Sequence, residues 1–180
     1  MATGQWLVTD DTRWWFDSGA VSLDFAHAPL QSADALGAWL SERFDRVAGG
    51  ASDRDLADAA ELRAAIVRLA QAQVDGSAVE ADDVDTVNLF AATPDIPPAI
   101  DGGNRQAGRS SVRTGQALSS IARDAVHLLS QGEGRIRSCD ADDCRFVFYD
   151  ESRTNNRRWC SMQRCGNRAK VRAFRAKEKL

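Results

Sequence analysis

The sequence has little of the chemistry that most enzymes use. Its 180 residues include only two histidines, His27 and His127, and four cysteines. Two histidines leave little material for Ser/His/Asp or Cys/His catalysis. The chain also lacks a P-loop, a G-x-G-x-x-G loop and an H-E-x-x-H helix, the motifs for phosphates, dinucleotides and catalytic zinc. The composition therefore predicts a protein that is not an enzyme.

Membrane and export signals are equally absent. No run of about 18 apolar residues occurs, which is the length that a transmembrane helix needs. The opening residues MATGQWLVTDDTRWWFD lack a basic region followed by an apolar one, the pattern of a secretory signal. Hydrophobic residues make up 43% of the chain, enough for a real core. We therefore expect a globular cytoplasmic protein with no membrane partner.

Charge is divided unevenly along the chain. Residues 1–134 carry 10 Arg and 20 Asp or Glu, whereas residues 135–180 carry 13 Lys or Arg and 6 Asp or Glu. An acidic body with a basic end is expected when only that end meets a polyanion. Docking of the basic end on the acidic body is the alternative. Because Gly132 and Gly134 close a helical pattern, we predict two domains, a body (1–134) and a C-terminal module (135–180).

The apolar patterns predict a mainly helical α+β fold. Alternation in QWLVT, TRWWF and AVSLDFA predicts an N-terminal β-hairpin or meander within residues 1–28, with Trp14, Trp15 and Phe16 as packing residues. Helical periodicity then predicts about four helices, over residues 34–47, 52–74, 80–92 and 116–131. Ser52 is a suitable N-cap for the second of them. The stretch 93–111, rich in Pro and Gly, can hold a short hairpin at Gly102-Gly103.

All four cysteines lie in the C-terminal module with the spacing C-x4-C-x15-C-x4-C. Two close pairs separated by 12 to 20 residues are typical of a structural zinc site with four thiolates around one ion. The predicted ligands are Cys139, Cys144, Cys160 and Cys165. Disulfides need an oxidising compartment, and a redox dithiol is normally C-x-x-C. An iron–sulfur cluster, which also uses four thiolates, stays open as an alternative.

Acids between the first two cysteines, in CDADDC, do not fit a calcium loop. The EF-hand pattern needs a central Gly and a distant Glu in register, and neither is present. We interpret Asp140, Asp142 and Asp143 as solvated loop residues or as partners for nearby arginines.

A basic helix is predicted from Gln163 to Lys179. At about 100° per residue, five cations fall on one narrow face: Arg164, Arg168, Arg172, Arg175 and Lys179. We call this face the arginine row. Like charges at this spacing destabilise a free helix, so the row is best explained by a polyanion. The predicted DNA contacts are Arg157, Arg158, Arg164, Asn167, Arg168, Lys170, Arg172, Arg175 and Lys179.

The segment RRWCSMQRCGNRAK resembles the signature of the CGNR zinc-finger family, with the run CGNR at residues 165–168. The upstream CDADDCRFVFYDESR is similar to that family's first cysteine pair, which an aromatic residue, an Asp and a Ser follow. The body resembles the ABATE-type domain, described as a stress-induced transcription regulator, through residues 23–25 (LDF), the DALGAWL helix and the helix that runs into GRIRSC. One departure is His27-Ala28, where an Asn-Thr pair is expected.

The resemblance implies a bacterial DNA-binding transcription regulator with one structural zinc ion. The body would then sense a signal, such as a small-molecule effector, or form a homodimer. The alternative is a zinc-stabilised protein-interaction module, or an RNA binder, without sequence-specific DNA binding. Of the two histidines, we expect His27 to be structural and His127 to be exposed.

Overall fold

The computed structural model describes residues 3–9, 11–45, 47, 50–98, 100, 111–131 and 134–177. Within them the chain forms six α-helices and two antiparallel two-stranded sheets. In chain order the elements are β1 (Gln5–Thr9), β2 (Thr12–Phe16), α1 (Val21–Ala26), α2 (Ala33–Ser41), α3 (Asp53–Asp75), α4 (Ala81–Ala92), α5 (Thr114–Gln131), β3 (Ile136–Ser138), β4 (Val147–Tyr149) and α6 (Asn167–Lys177). A π-helical turn, Met162–Gly166, leads into α6.

The predicted fold class, a mainly helical α+β protein, is confirmed. Four helices lie where the periodicity placed them, as α2 to α5. The predicted cap of α3 is also present, since the Ser52 side chain accepts from the N–H of Asp55 and the Asp55 carboxylate accepts from the N–H of Ser52. This reciprocal pair satisfies two backbone donors that the first turn leaves without partners.

The prediction of a strand at AVSLDFA is wrong, because residues Val21–Ala26 form the helix α1. All six of its residues are buried, the polar Ser22 and Asp24 among them. The alternation therefore reflects a helix that is enclosed on every side, whereas the strand interpretation assumes one face in water. The secondary structure of such a short segment is determined by its burial in the tertiary fold and not by its local sequence pattern.

One helix boundary also differs from the prediction. Helix α2 ends at Ser41, six residues before the predicted end, although Phe44 beyond it is still buried in the core. Apolar residues that pack from a turn extended the helical pattern past the helix. The hairpin predicted at Gly102-Gly103 lies outside the described residues.

The β3–β4 hairpin lies between two hydrophobic clusters. Strand residues alternate between the two faces of a sheet, and Val147 and Phe148 are both fully buried for this reason. Ile136 and Val147 join the core formed by α1 to α5, whereas Phe148 joins a second cluster around the cysteines. The C-terminal module therefore packs directly on the helices.

The N-terminal hairpin, β1–β2, completes the second cluster. Its inner face contributes Leu7, Trp14 and Phe16, which pack with three of the cysteines. The strands pair with Gln5 opposite Phe16 and Thr9 opposite Thr12. The beginning of the chain thus supplies core residues to the module at its end.

Close contacts hold this hairpin in place. Gly19 has φ 78° and follows Ser18, whose carbonyl accepts from the N–H of Tyr149 at 2.7 Å. A Cβ at Gly19 would lie 2.6 Å from the carbonyl oxygen of Tyr149, so only glycine fits. The buried carboxylate of Asp24 accepts from the backbone N–H groups of Gly4 and Ser18. Burial raises the pKa of Asp24, and these hydrogen bonds partly offset the shift.

Candidate metal centre and basic groove

Two cysteine-bearing turns bring four sulfur atoms together. The first knuckle, residues 139–144, connects β3 to β4, and the second knuckle, residues 160–165, ends in the π-helical turn. Every pair of the four Sγ atoms lies within 4.8 Å. Two of the separations, from Cys160 to Cys144 and to Cys165, are 3.7 and 3.5 Å. A tetrahedral zinc ion with Zn–S bonds of about 2.3 Å needs sulfurs about 3.8 Å apart, so the cluster fits one such ion.

The backbone holds the two knuckles against each other. The N–H of Cys160 donates to Sγ of Cys139 at 3.4 Å, and the N–H of Asp140 donates to the carbonyl of Arg158 at 2.9 Å. The N–H of Cys139 donates to the carbonyl of Phe146 at 2.9 Å and closes the first knuckle. The first of these hydrogen bonds reaches a sulfur and favours its thiolate form, and the other two fix the backbone that carries the cysteines.

The thiols perturb one another strongly. Hydrogen bonds from Cys144 and Cys160 lower the pKa of Cys139 to about 2. The hydrogen bond to Cys139 raises the pKa of Cys144 to about 12, and that of Cys160 is also raised. None of the four is in a disulfide. Four thiolates at this spacing repel one another, so a dication is what allows all of them to ionise.

The four described members of the arginine row lie along one groove. Arg164, Arg168, Arg172 and Arg175 line it, and residues of the N-terminal hairpin form the opposite wall. We call this hollow, of about 770 Å³, the basic groove. Asn167 also lines it, and its side-chain amide donates to the carbonyl of Gln163 at 3.4 Å. Lys170 is exposed on α6, and Lys179 lies outside the described residues.

Acids of the first knuckle pair with the arginine row. Arg168 donates to both carboxylate oxygens of Asp143, at 2.8 and 3.1 Å. Arg172 lies 3.5 Å from Asp143 and 3.8 Å from Asp142. Arg168 also donates to Sγ of Cys165 at 3.4 Å, and this hydrogen bond is the main reason that the pKa of Arg168 is raised. The acids of CDADDC are therefore arginine partners, and they belong to the module itself.

Arg157 and Arg158, predicted with the row as DNA contacts, line a separate groove. The Arg157 side chain donates to the carbonyls of Asp17, Trp159 and Cys160 and lies over the ring of Phe148. These contacts make Arg157 an internal support, and its assignment as a DNA contact stays a prediction. The sequence alone does not show which of several neighbouring arginines can donate hydrogen bonds to backbone carbonyls.

Arg158 pairs with an acid of the first knuckle. Its Nε donates to Asp140 at 2.7 Å, and its guanidinium lies over the ring of Trp159. Next to Arg157, the side chain of Asp150 is fully buried and accepts from the N–H of Arg157 at 2.8 Å. Burial opposes ionisation, but hydrogen bonds from Ser152 and from the N–H of Arg157 keep the pKa of Asp150 below its usual value. This acid therefore anchors the loop that leads to the second knuckle.

The two histidines lie as expected. Nε2 of His27 accepts from the N–H of Val147 at 3.2 Å, and its ring packs against Phe16 and Phe146. Burial lowers the pKa of His27 to about 4, so the ring is neutral near pH 7 and joins α1 to the module. His127 is exposed on α5.

Sequence reasoning missed the contribution of the N-terminal hairpin to the groove. Trp6, Thr9, Thr12, Arg13 and Trp14 line its second wall. The alternation in TRWWF does place Arg13 and Trp15 on the face opposite Trp14. Nothing in the local pattern indicates that this hairpin meets a helix that begins about 150 residues later.

A four-cysteine, metal-binding finger that ends in a basic helix and packs on a helical body defines the class of protein. The CGNR zinc-finger model matches residues 135–178. The ABATE model, with the description "Putative stress-induced transcription regulator", matches residues 19–132. The chain therefore belongs to the ABATE family and carries a CGNR zinc finger, whose four cysteines can hold one metal ion. We refer to residues 135–180 as the finger.

No curated protein matches the chain. Neither matched family is a family of enzymes by its description. Among the described helices, none has the length and apolar character needed to cross a bilayer. The N-terminal hairpin lies outside both matched ranges, although it packs on the finger.

Proposed function

We propose that this protein is a transcription regulator that binds duplex DNA through the basic groove of its zinc finger. The observation that supports the proposal is the convergence of four arginines on one groove beside a metal-binding cluster. Guanidinium groups bind phosphates in a bidentate manner and are the commonest specific contact to guanine. In this proposal the finger binds DNA, and the body (1–134) senses a signal or forms a homodimer. Light scattering of the purified protein would detect the homodimer.

The ligands in this proposal are Cys139, Cys144, Cys160 and Cys165, around one zinc ion. Four thiolates complete the tetrahedral shell, so the ion has no open position for water or substrate. Its role is to hold the two knuckles together and to fix the start of α6. Three of the four cysteines are buried among aromatic side chains, which suits a structural site.

Helix α6 has little stabilisation of its own. None of its described residues is buried, so packing does not offset repulsion within the arginine row. Like charges three or four residues apart destabilise a helix by a few tenths of a kcal/mol per pair, roughly the amount that opposite charges contribute. Phosphates in the groove would remove this repulsion, so we expect DNA to stabilise the helix.

The test is a DNA titration by fluorescence anisotropy at several salt concentrations. We expect the variant Arg172→Gln/Arg175→Gln to bind duplex DNA about tenfold or more weakly at low salt, because two phosphate contacts are lost. Its slope of log K against log[salt] should fall by about 1.8, at about 0.9 per contact.

The matched control is Arg54→Gln/Arg113→Gln, which removes the same charge from exposed positions on the body. It should keep the wild-type slope. Wild-type protein that does not bind duplex DNA even at low salt would refute the proposal and leave the protein-interaction module or the RNA binder. Equal slopes of log K against log[salt] for both double variants would show that the phosphate contacts lie outside the groove.

The carboxylates of the first knuckle should weaken DNA binding. Asp142 and Asp143 occupy Arg168 and Arg172 in the free protein, so a phosphate has to compete with them. We expect Asp142→Asn/Asp143→Asn to bind DNA several-fold more tightly at low salt, because phosphate no longer has to displace these carboxylates or approach their negative charge. The gain is only several-fold because exposed ion pairs contribute about 0.2–1 kcal/mol each. The same anisotropy titration measures the change.

Asp140→Asn is the control for this prediction. It changes one charge in the same knuckle, but its partner, Arg158, lines the other groove. Each single variant, Asp142→Asn and Asp143→Asn, should exceed it in affinity. Equal gains from all three substitutions would show a general charge effect instead of competition in the groove, and metal analysis would confirm that each variant keeps its ion.

A further inference from the structure

The N-terminal hairpin forms a wall of the basic groove. Arg13 and Trp6, from β2 and β1, line the groove across from Arg168, Arg172 and Arg175. The lining also contains two threonines, a glutamine, an asparagine and a valine. Among the described lining residues no side chain is acidic, although acids outnumber bases in the chain. Both walls therefore present positive charge to the same space.

Several contacts hold the hairpin against the finger. The N–H of Trp15 donates to the side-chain oxygen of Gln163 at 3.2 Å, across 148 residues of sequence. The guanidinium of Arg164 lies 5.1 Å from the ring centroid of Trp14. Trp14 in turn is buried in the cluster that contains the cysteines. These contacts join the two walls of the groove within the protein, and such preorganisation reduces the entropic cost of binding.

Arg13 is held in place by an aromatic neighbour. Its guanidinium carbon lies 4.4 Å from the centroid of the Trp6 ring, within the range of a cation–π contact. Trp6 itself remains 49% exposed, and its ring meets that of Trp15 edge-on at 5.4 Å. The exposed Trp6 ring therefore stabilises one orientation of the Arg13 guanidinium beside the groove.

We infer that Arg13 is a phosphate-binding residue of the DNA site and that the N-terminal hairpin and α6 grip one strand of the DNA backbone from opposite sides. Trp6 is a positioning residue that acts through Arg13. This inference rests on the proposed function, because it assigns further residues to the same site. It extends the DNA-binding surface to residues outside both matched family ranges.

The inference is tested with Arg13→Gln in the full-length, metal-loaded protein and a labelled DNA duplex. Losing one phosphate contact should lower the salt slope by about 0.9 and weaken binding several-fold at low salt. The control Arg54→Gln removes the same charge from an exposed position on α3 and should keep the wild-type slope. Thermal unfolding and metal content verify that each variant is folded.

Trp6 is tested by two substitutions. Trp6→Leu removes the ring that orients Arg13 and should lower affinity, whereas Trp6→Phe keeps an aromatic face and should restore most of it. Wild-type binding with an unchanged slope for Arg13→Gln would overturn the inference and leave the proposed function intact. Absence of duplex binding by the wild-type protein would overturn both.

Discussion

Cys160→Ser is expected to release the metal ion and to unfold the finger. Cys160 is 1% exposed, and its sulfur lies 3.7 Å from that of Cys144 and 3.5 Å from that of Cys165. A neutral hydroxyl cannot replace this thiolate, and structural zinc in small fingers supplies about 10–16 kcal/mol of binding free energy that also drives folding. Metal analysis should therefore give one zinc per wild-type chain and close to none per variant.

Most of the body should survive this substitution. The core of α1 to α5 contains no cysteine, so circular dichroism should retain most of the helical signal. Ser161→Ala is the control, because the Ser161 side chain makes no hydrogen bond at the start of the π-helical turn. Full zinc content in Cys160→Ser would contradict the four-thiolate site. Iron in the wild-type protein would show that the four cysteines hold an iron–sulfur cluster and not a zinc ion.

Trp14→Ala is expected to destabilise the protein by about 3–5 kcal/mol, the usual cost of removing a large buried side chain. Trp14 is 2% exposed and packs edge-on against Phe16 and Phe146. Its ring N–H donates to the hydroxyl of Thr9 at 3.2 Å. Because the same cluster buries the cysteines, the cavity should also admit water to the metal. Zinc release to a chelator should therefore be faster than in the wild-type protein.

The neighbouring residue on the same strand provides the control. Trp15 faces outward and is 39% exposed, so Trp15→Ala should cost less than half as much in a denaturant titration. Similar losses from both substitutions would show that the strand contributes through its pairing and not through the buried cluster. If Trp14→Ala released zinc at the wild-type rate, the hairpin would not protect the metal centre.

The local features of this protein could be predicted because their physical causes are local. The cap at Ser52 depends on a neighbour three residues away, and the alignment of Arg168, Arg172 and Arg175 on α6 depends on the helical repeat. The cysteine spacing likewise indicates two short turns with two thiolates each. Enclosed segments such as α1 could not be assigned this way, because burial on every side removes the contrast between faces on which a periodicity depends.

Taken by itself, the sequence determined the helices α2 to α5, the likeness to a four-cysteine finger and the basic face of α6, since each follows from short-range spacing. Tertiary structure alone decided that the N-terminal hairpin buries the cysteines, that Asp143 pairs with Arg168 and that Arg157 turns inward. The Asp143–Arg168 contact joins residues 25 apart, and the Asp17–Arg157 contact joins residues 140 apart. Their partners are selected by the packing of the whole chain, because backbone carbonyls and ring faces leave no signature in local sequence.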